Sequence, residues 1–334
     1  MKVPYWDLQA QYAECKQEID KGIAGIIQDS EYIGGKIQSD FEANLIRYTG
    51  AQDVATVSSG TSALVLAYHT LELQPGDEVI TTPWTMCATA TSILHWNAIP
   101  IFADIEEDTF NIDPISVEAN ITEHTKAIMA VDIFGHSADM NALRKIADKH
   151  NLKIISDTAQ APGATYRGEY AGTLADIGGF SLNYHKHIHT GEGGIIVTND
   201  SILAERVELI RNHAEVVVEG KGVENLNNMI GYNFRLGEIE SAIGIEQLKK
   251  LKGYTDSRKR MANRLSEGLS NLQGLKTPVV KEDCSHVYYV YPLVLDIEML
   301  DCSKFKIAEA LRGEGLEVST AYQNIHLLPM YQKK

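Results

Sequence analysis

Cysteine is scarce in this chain, with four in 334 residues. Cys15, Cys87, Cys284 and Cys302 stand far apart, with neither C-x-x-C nor zinc-ribbon spacing, so they read as structural thiols. Basic charge is in deficit: 30 Lys and Arg against 45 Asp and Glu leave a formal net charge of −15. That sign opposes nonspecific attraction to DNA or RNA, and no basic cluster with interleaved aromatics makes an exception, so nucleic acid is not an expected partner. Long apolar runs are missing too. None approaches the roughly 20 residues of a membrane span, and Met1-Lys2-Val3-Pro4-Tyr5 lacks the apolar core of a signal peptide. A soluble, cytoplasmic protein with no membrane partner is expected. Also absent are low-complexity linkers, short repeats, a Walker Gly-Lys-Ser/Thr and a G-x-G-x-x-G dinucleotide fingerprint.

What is present suffices for a substantial core: 44% of the residues are hydrophobic, and the length suits two domains. Turn signals at Gln74-Pro75-Gly76-Asp77 lead into a strand at 78–82. A helix-like 87–96 precedes strand 99–104, 126–134 reads as strand, Asp139 caps a helix at 140–150, and 153–157 returns to strand. This alternation predicts an α/β fold with a mainly parallel sheet flanked by helices. A charged helical stretch at 258–272 and the apolar run Val287 to Leu295, read as a core strand, open a smaller C-terminal α+β domain. The boundary is set at 247/248, giving domains 1–247 and 248–334.

Three segments carry chemistry. Lys186 lies between two β-prone stretches, 177–182 and 195–198, in a loop ending Gly191-Glu192-Gly193-Gly194. A loop amine aimed into a cleft can form an imine with an aldehyde once desolvation or a neighbouring cation leaves part of it neutral. Val54 to Ala67 runs from a strand through Ser58-Ser59-Gly60-Thr61-Ser62 into a helix, where Gly60 admits an anion, Thr61 and Ser62 offer hydroxyls, and the free amides of the first turn face the same place. The alternative is an ordinary Ser/Thr helix cap. Asp157 ends a short apolar strand, where a carboxylate can meet a protonated pyridine nitrogen or else cap a turn. Cradle, acid and lysine, in that order, are the requirements of a pyridoxal phosphate site. His185, His187 and His189 alternate, but a metal would need further ligands, and no metal is expected.

With these residues the chain resembles the DegT/StrS family of pyridoxal-phosphate sugar aminotransferases of fold type I. The resemblance spans nearly the whole chain and rests on Ser59-Gly60-Thr61-Ser62-Ala63-Leu64, Asp157 to Ala164, Ser181 to Gly194, Arg211-Asn212-His213 and Gly231-Tyr232-Asn233-Phe234-Arg235-Leu236. It implies that Lys186 holds the cofactor as an imine, Asp157 meets the ring nitrogen, Thr61, Ser62 and Ser181 hold the phosphate, and Gln160 lies beside the ring. It further implies that Asn233 reaches the phosphate of a second subunit, making a homodimer with composite sites; the alternative is that Asn233 caps a helix beginning near Leu236. Met86 aligns with the aromatic that stacks on the ring in the family, while Trp84 stands two residues earlier, so either can serve. His187, His189 and His326 are candidate substrate contacts. Relatives usually continue several dozen residues beyond the match to His326-Leu327-Leu328-Pro329-Met330-Tyr331, whereas this chain stops at Lys334: either the small domain is short or the sequence is a fragment.

The implied reaction moves an amino group, with glutamate as donor, to a keto sugar, a nucleotide-linked one being expected. Cyclitol or other keto substrates are alternatives, as is a PLP-binding regulatory protein without turnover. The sugar dehydratases among the relatives carry histidine in place of the imine lysine, so Lys186 disfavours that activity.

Overall fold

The structure, a computed structural model, describes residues 2–214, 230–320, 322 and 324–332. Three helices, α1 (Leu8–Ala13), α2 (Lys16–Asp29) and α3 (Lys36–Thr49), lead into β1 (Asp53–Val57) and α4 (Gly60–Thr70). Alternating elements follow: β2 (Glu78–Thr81), α5 (Ala88–His95), β3 (Ile99–Phe102), α6 (Pro114–Ala119), β4 (Thr125–Val131), α7 (Met140–His150) and β5 (Lys153–Asp157). After the small ribbon β6 (Thr165–Tyr166) and β7 (Glu169–Tyr170) come β8 (Ile177–Ser181), β9 (Gly194–Thr198), α8 (Ser201–Arg211) and the long α9 (Glu238–Leu269). Seven strands form one sheet in the order β1-β9-β8-β5-β4-β2-β3. The pairings β2 with β3, β2 with β4, β4 with β5 and β5 with β8 are parallel, and β9 runs antiparallel to both neighbours. The expected mainly parallel mixed sheet flanked by helices is therefore the fold of this chain.

The period of two in a strand explains how short apolar runs bind helices on both sides. In β4, Met129 joins a cluster with Leu64 and Leu66 of α4, while Ile128 and Ala130 join one with Leu143 and Ile146 of α7. In β5, Ile155 and Ile154 divide the same way, as do Val79 and Ile80 in β2. Asp139 starts α7 as expected, its carboxylate accepting the Ala142 N–H at 3.0 Å. The N-terminus of α3 is capped from a distance: its N-cap is Gly35, and buried Glu238 accepts the N–H groups of Gly35 at 2.7 Å and Ile37 at 2.9 Å.

Register brings the candidate residues to one edge. Val57, Gly194 and Ser181 share a row across β1, β9 and β8, and Val131, Asp157 and Gly179 share one across β4, β5 and β8. Ser58 to Ser62, Asp157 and Ser181 thus meet at the carboxyl ends of β1, β5 and β8.

One expectation in the C-terminal half needs correction. Val287 to Leu295 is not a core strand: only Val294–Leu295 is a strand, paired with Leu275–Lys276, and the residues before it are irregular. Their backbone is spent on tertiary bonds, with Val287 N–H donating to Gly135 O at 2.9 Å and Tyr288 O accepting from Arg258 Nη1 at 3.0 Å. The alternative that Asn233 caps a helix is also excluded, because Gly237 is the N-cap of α9. Residue 248, where the domain boundary was set, falls inside that continuous helix, which packs on α2 and α3.

Candidate active site

The start of α4 forms a pocket of hydroxyls. Ser59 caps the helix, its Oγ accepting the Ser62 N–H at 3.0 Å, and Ser62 Oγ lies 2.9 Å from Ser58 Oγ and 2.8 Å from Ser59 Oγ. The structure thus shows the helix cap, with the hydroxyls of Ser58, Ser59 and Ser62 gathered at it. Thr61 is exposed at the second helical position. Ser181, at the end of β8, closes the side: a Cβ on Gly60 would stand 2.7 Å from its Cβ and 3.1 Å from its Oγ. Gly60 thus makes room for β8. Gly194 is tighter still, since a Cβ there would meet Ser59 O at 2.3 Å.

Asp157, buried, receives Thr89 Oγ1 at 2.7 Å and the Ala159 N–H at 3.2 Å. Thr85 Oγ1 is 2.9 Å from Thr89 Oγ1, so Thr85 donates to the oxygen whose proton goes to the acid. Burial pushes the Asp157 carboxyl up, while these two bonds and the charge of Lys186 pull it down.

Lys186 rides the loop that joins β8 to β9. The Leu182 N–H donates to Gly193 O at 2.8 Å and the Thr190 N–H to Leu182 O at 2.9 Å, so the loop is closed at its base. Desolvation pushes the amine down to about 8, against the opposing pull of Asp157. That is the direction a nucleophilic lysine requires. Its Nζ sits 4.4 Å from the centre of the Tyr289 ring.

The other candidates divide. Gln160 is buried beside Asp157's strand end, its Oε1 accepting the Phe134 N–H at 2.9 Å and its Nε2 donating to Tyr322 Oη at 2.7 Å. Trp84 belongs to an aromatic group, 5.4 Å from Tyr322 and 6.4 Å from Phe110, whereas Met86 is exposed. Asn233 is exposed on a segment tied to the cradle's own strand, with Ser58 N–H donating to Phe234 O at 2.8 Å. His187 turns inward: it is buried, its Nε2 lies 2.9 Å from Val287 O, and burial holds it down to about 3. Its ring is thereby withdrawn from any substrate that approaches through solvent. His189 is half-buried, accepting the Gly191 N–H at 3.3 Å, and His326 stands beyond β3, 6.2 Å from the Phe102 ring. Among the described residues, no group of three or more His, Cys, Asp or Glu could hold a metal ion.

Sequence reasoning passed over Thr85, Thr89, Asp132 and Tyr289. The threonines stand four apart, which aligns them where a helix begins. Asp132 follows β4 as Asp157 ends β5; buried, it accepts Thr158 Oγ1 at 2.7 Å and the Ala138 N–H at 2.9 Å, and burial pushes it up to about 6. It fixes the turn that carries Gln160. A strand-end acid next to a strand-end acid was the available signal.

A mainly parallel sheet whose edge gathers a depressed lysine, a buried acid and a hydroxyl-lined helix start defines the class as aminotransferase-like. A family model for the DegT/DnrJ/EryC1/StrS aminotransferase family matches residues 13–334, and the chain belongs to that family. The dTDP-3-amino-3,4,6-trideoxy-alpha-D-glucose transaminase of Streptomyces venezuelae is 33% identical over 332 residues, covering 99% of this chain and 84% of its own. The crystal structure of S. venezuelae DesV superposes with a TM-score of 0.91 at 32% identity, covering 99% of this chain and 86% of that one. NtdA from Bacillus subtilis, solved with bound cofactor PMP, gives a TM-score of 0.87 at 30% identity, covering 100% of this chain and 76% of that one. The protein is an aminotransferase.

Proposed function

We propose that the chain uses pyridoxal phosphate to move an amino group from glutamate to a nucleotide-linked keto sugar. The observation that carries this reading is the pairing of a desolvated Lys186, pushed down to about 8, with a buried Asp157 that accepts Thr89 Oγ1 at 2.7 Å and the Ala159 N–H at 3.2 Å. The donor set fits the cofactor. Hydroxyls and free amides at the start of α4 suit a phosphate, a buried carboxylate suits a pyridinium, and an amine with a neutral fraction suits an aldehyde.

When bound, pyridoxal phosphate supplies an aldehyde that condenses with amines and a ring that takes up the electrons left when a proton departs from the adjacent carbon. The chain does the rest. Thr61, Ser62 and Ser181 hold the phosphate, while Gly60 keeps the backbone close to it. Asp157 keeps a proton on the ring nitrogen, and Gln160 stands at the ring's edge. The ring face would be covered by Met86, whose side chain is exposed, or by Trp84, which packs near Phe110 and Tyr322. Lys186 Nζ would carry a proton between the substrate carbon and the cofactor's aldehyde carbon. Asn233 reaches a neighbouring subunit's phosphate, so the working unit is a homodimer. The nucleotide-linked acceptor is supported by the transaminase relative, which is named for a dTDP-linked amino sugar.

The test is turnover. Incubated with L-glutamate and a panel of nucleotide-linked keto sugars, the enzyme yields an amino sugar and an equal amount of 2-oxoglutarate, and Lys186→Ala yields neither. A cofactor-loaded, folded enzyme inactive on every acceptor and donor tried would favour a regulatory PLP-binding protein instead.

A further inference from the structure

The run Val287 to Tyr291 is irregular, yet its first residues are held by hydrogen bonds to other parts of the fold. Val287 N–H donates to Gly135 O at 2.9 Å, Val287 O lies 2.9 Å from His187 Nε2, Tyr288 N–H donates to His286 Nδ1 at 2.9 Å, and Arg258 Nη1 donates to Tyr288 O at 3.0 Å. Tyr288 adopts φ 50°, a left-handed conformation that a bulky side chain rarely takes. Its ring stacks on His286 at 4.0 Å and 3°. Gly135 makes the approach possible, since a Cβ there would meet Tyr288 N at 2.9 Å. These restraints turn the next side chain, Tyr289, towards the lysine loop. Its ring centre is 4.4 Å from Lys186 Nζ and about 6 Å from two other rings of that loop, His185 at 6.1 Å and His187 at 6.0 Å.

We propose that Tyr289 is a positioning residue: its π-face holds the Lys186 ammonium whenever that amine is not bonded to the cofactor, keeping Nζ aimed at the place where it takes and returns a proton. The proposal rests on Lys186 being the cofactor-bearing lysine. A desolvated ammonium needs a partner, and a ring face is attractive to a cation without supplying a carboxylate that would lock the proton in place. Asp157 is the counter-charge from the neighbouring strand end, and it is already engaged by Thr89 and Ala159. The remaining groups around Nζ do not compete in the lysine range: burial holds His185 and His187 below their usual values and the Tyr289 hydroxyl above its own. Arg258, tied to Tyr288 O, lies beyond His187 and adds positive charge on that side.

The test follows the Lys186 amine itself. The full chain, stripped of cofactor, is pulsed with formaldehyde and cyanoborohydride across pH 6 to 11 (about five units), and methylation of the Lys186 peptide is read by mass spectrometry. Tyr289→Phe is expected to titrate with wild type, because the ring face is kept. Tyr289→Leu keeps apolar bulk but loses the face, and its midpoint is expected to fall by about one unit, roughly tenfold in the acid constant. Tyr289→Trp offers a better face and is expected to raise the midpoint; it decides the matter if the Leu variant does not fold. A folded Leu variant that titrates with or above wild type, a Phe variant that shifts as far as Leu, or a Trp variant at or below wild type overturns the proposal. Borohydride labelling of a different lysine in the loaded enzyme would instead overturn the reading of Lys186, which the titration leaves untouched.

Discussion

At Asp157, burial and hydrogen bonding oppose each other. The carboxyl is pushed up by desolvation and pulled down by Thr89, Ala159 and Lys186, and Thr89 is the shortest of its hydrogen bonds at 2.7 Å. Thr89→Val removes the hydroxyl while preserving shape, so it sacrifices a bond to a charged acceptor worth about 1.5 to 3 kcal/mol. Expressed in the transition state, that is a loss of more than tenfold in kcat. Thr89→Ser is expected to retain most activity; equal losses in Ser and Val variants would assign Thr89 to packing alone. His187 gives a pH signature. Its folded value of about 3 lies below the usual 6.5, so from pH 6.5 downward the unfolded chain binds a proton that the folded chain refuses, and stability falls as pH falls towards 3. His187→Gln is expected to lessen the loss of unfolding free energy between pH 7 and pH 5, in urea titrations, by on the order of 2 kcal/mol; an unchanged loss would contradict the buried neutral ring. Lys186 and Asp157 were legible in the sequence because a glycine turn and a strand end are local signals. Thr89 and Tyr289 were not, because each acts through a partner distant in sequence.

Elements meet the site through close backbone approaches, and glycine marks them. Gly194 lets β9 pass Ser59 O, where a Cβ would stand 2.3 Å away, and the obstacle is backbone rather than a side chain that could swing aside. Gly194→Ala is therefore expected to cost at least about 1 to 3 kcal/mol and to weaken binding of the phosphate, since β9 must move against the cradle. Thermal unfolding with and without added cofactor reads both effects, and a variant matching wild type in each would argue that the two elements are not so tightly joined. The strand and helix alternation was readable because β1, β2, β4, β5, β8 and β9 each divide their side chains between two apolar clusters and each helix between them starts with a turn or cap. The stretch after Val287 was not readable, because apolar composition reports burial and not which backbone groups supply the bonds. The helix alternative for Asn233 failed on a different count: the N-cap of α9 comes four residues later, at Gly237, and the Glu238 N–H is bonded to Tyr32 O at 2.9 Å.

Across the whole molecule, the seven-stranded sheet brings the start of α4, Asp157 and the loop of Lys186 to one edge. Among the described residues, no helix is long and apolar enough to cross a membrane. The composite-site proposal belongs at this scale. Mixing inactive Lys186→Ala chains with inactive Asn233→Ala chains is expected to restore part of the activity, because a mixed dimer rebuilds one intact site; demonstrated heterodimers without rescue, or fully active monomers in sedimentation, would contradict it. The most direct measurement of the central claim is chemical. Borohydride reduction of the purified, cofactor-loaded enzyme followed by peptide mapping is predicted to place the pyridoxyl label on Lys186 and to find none in Lys186→Ala; a label on any other lysine would contradict the assignment of this site.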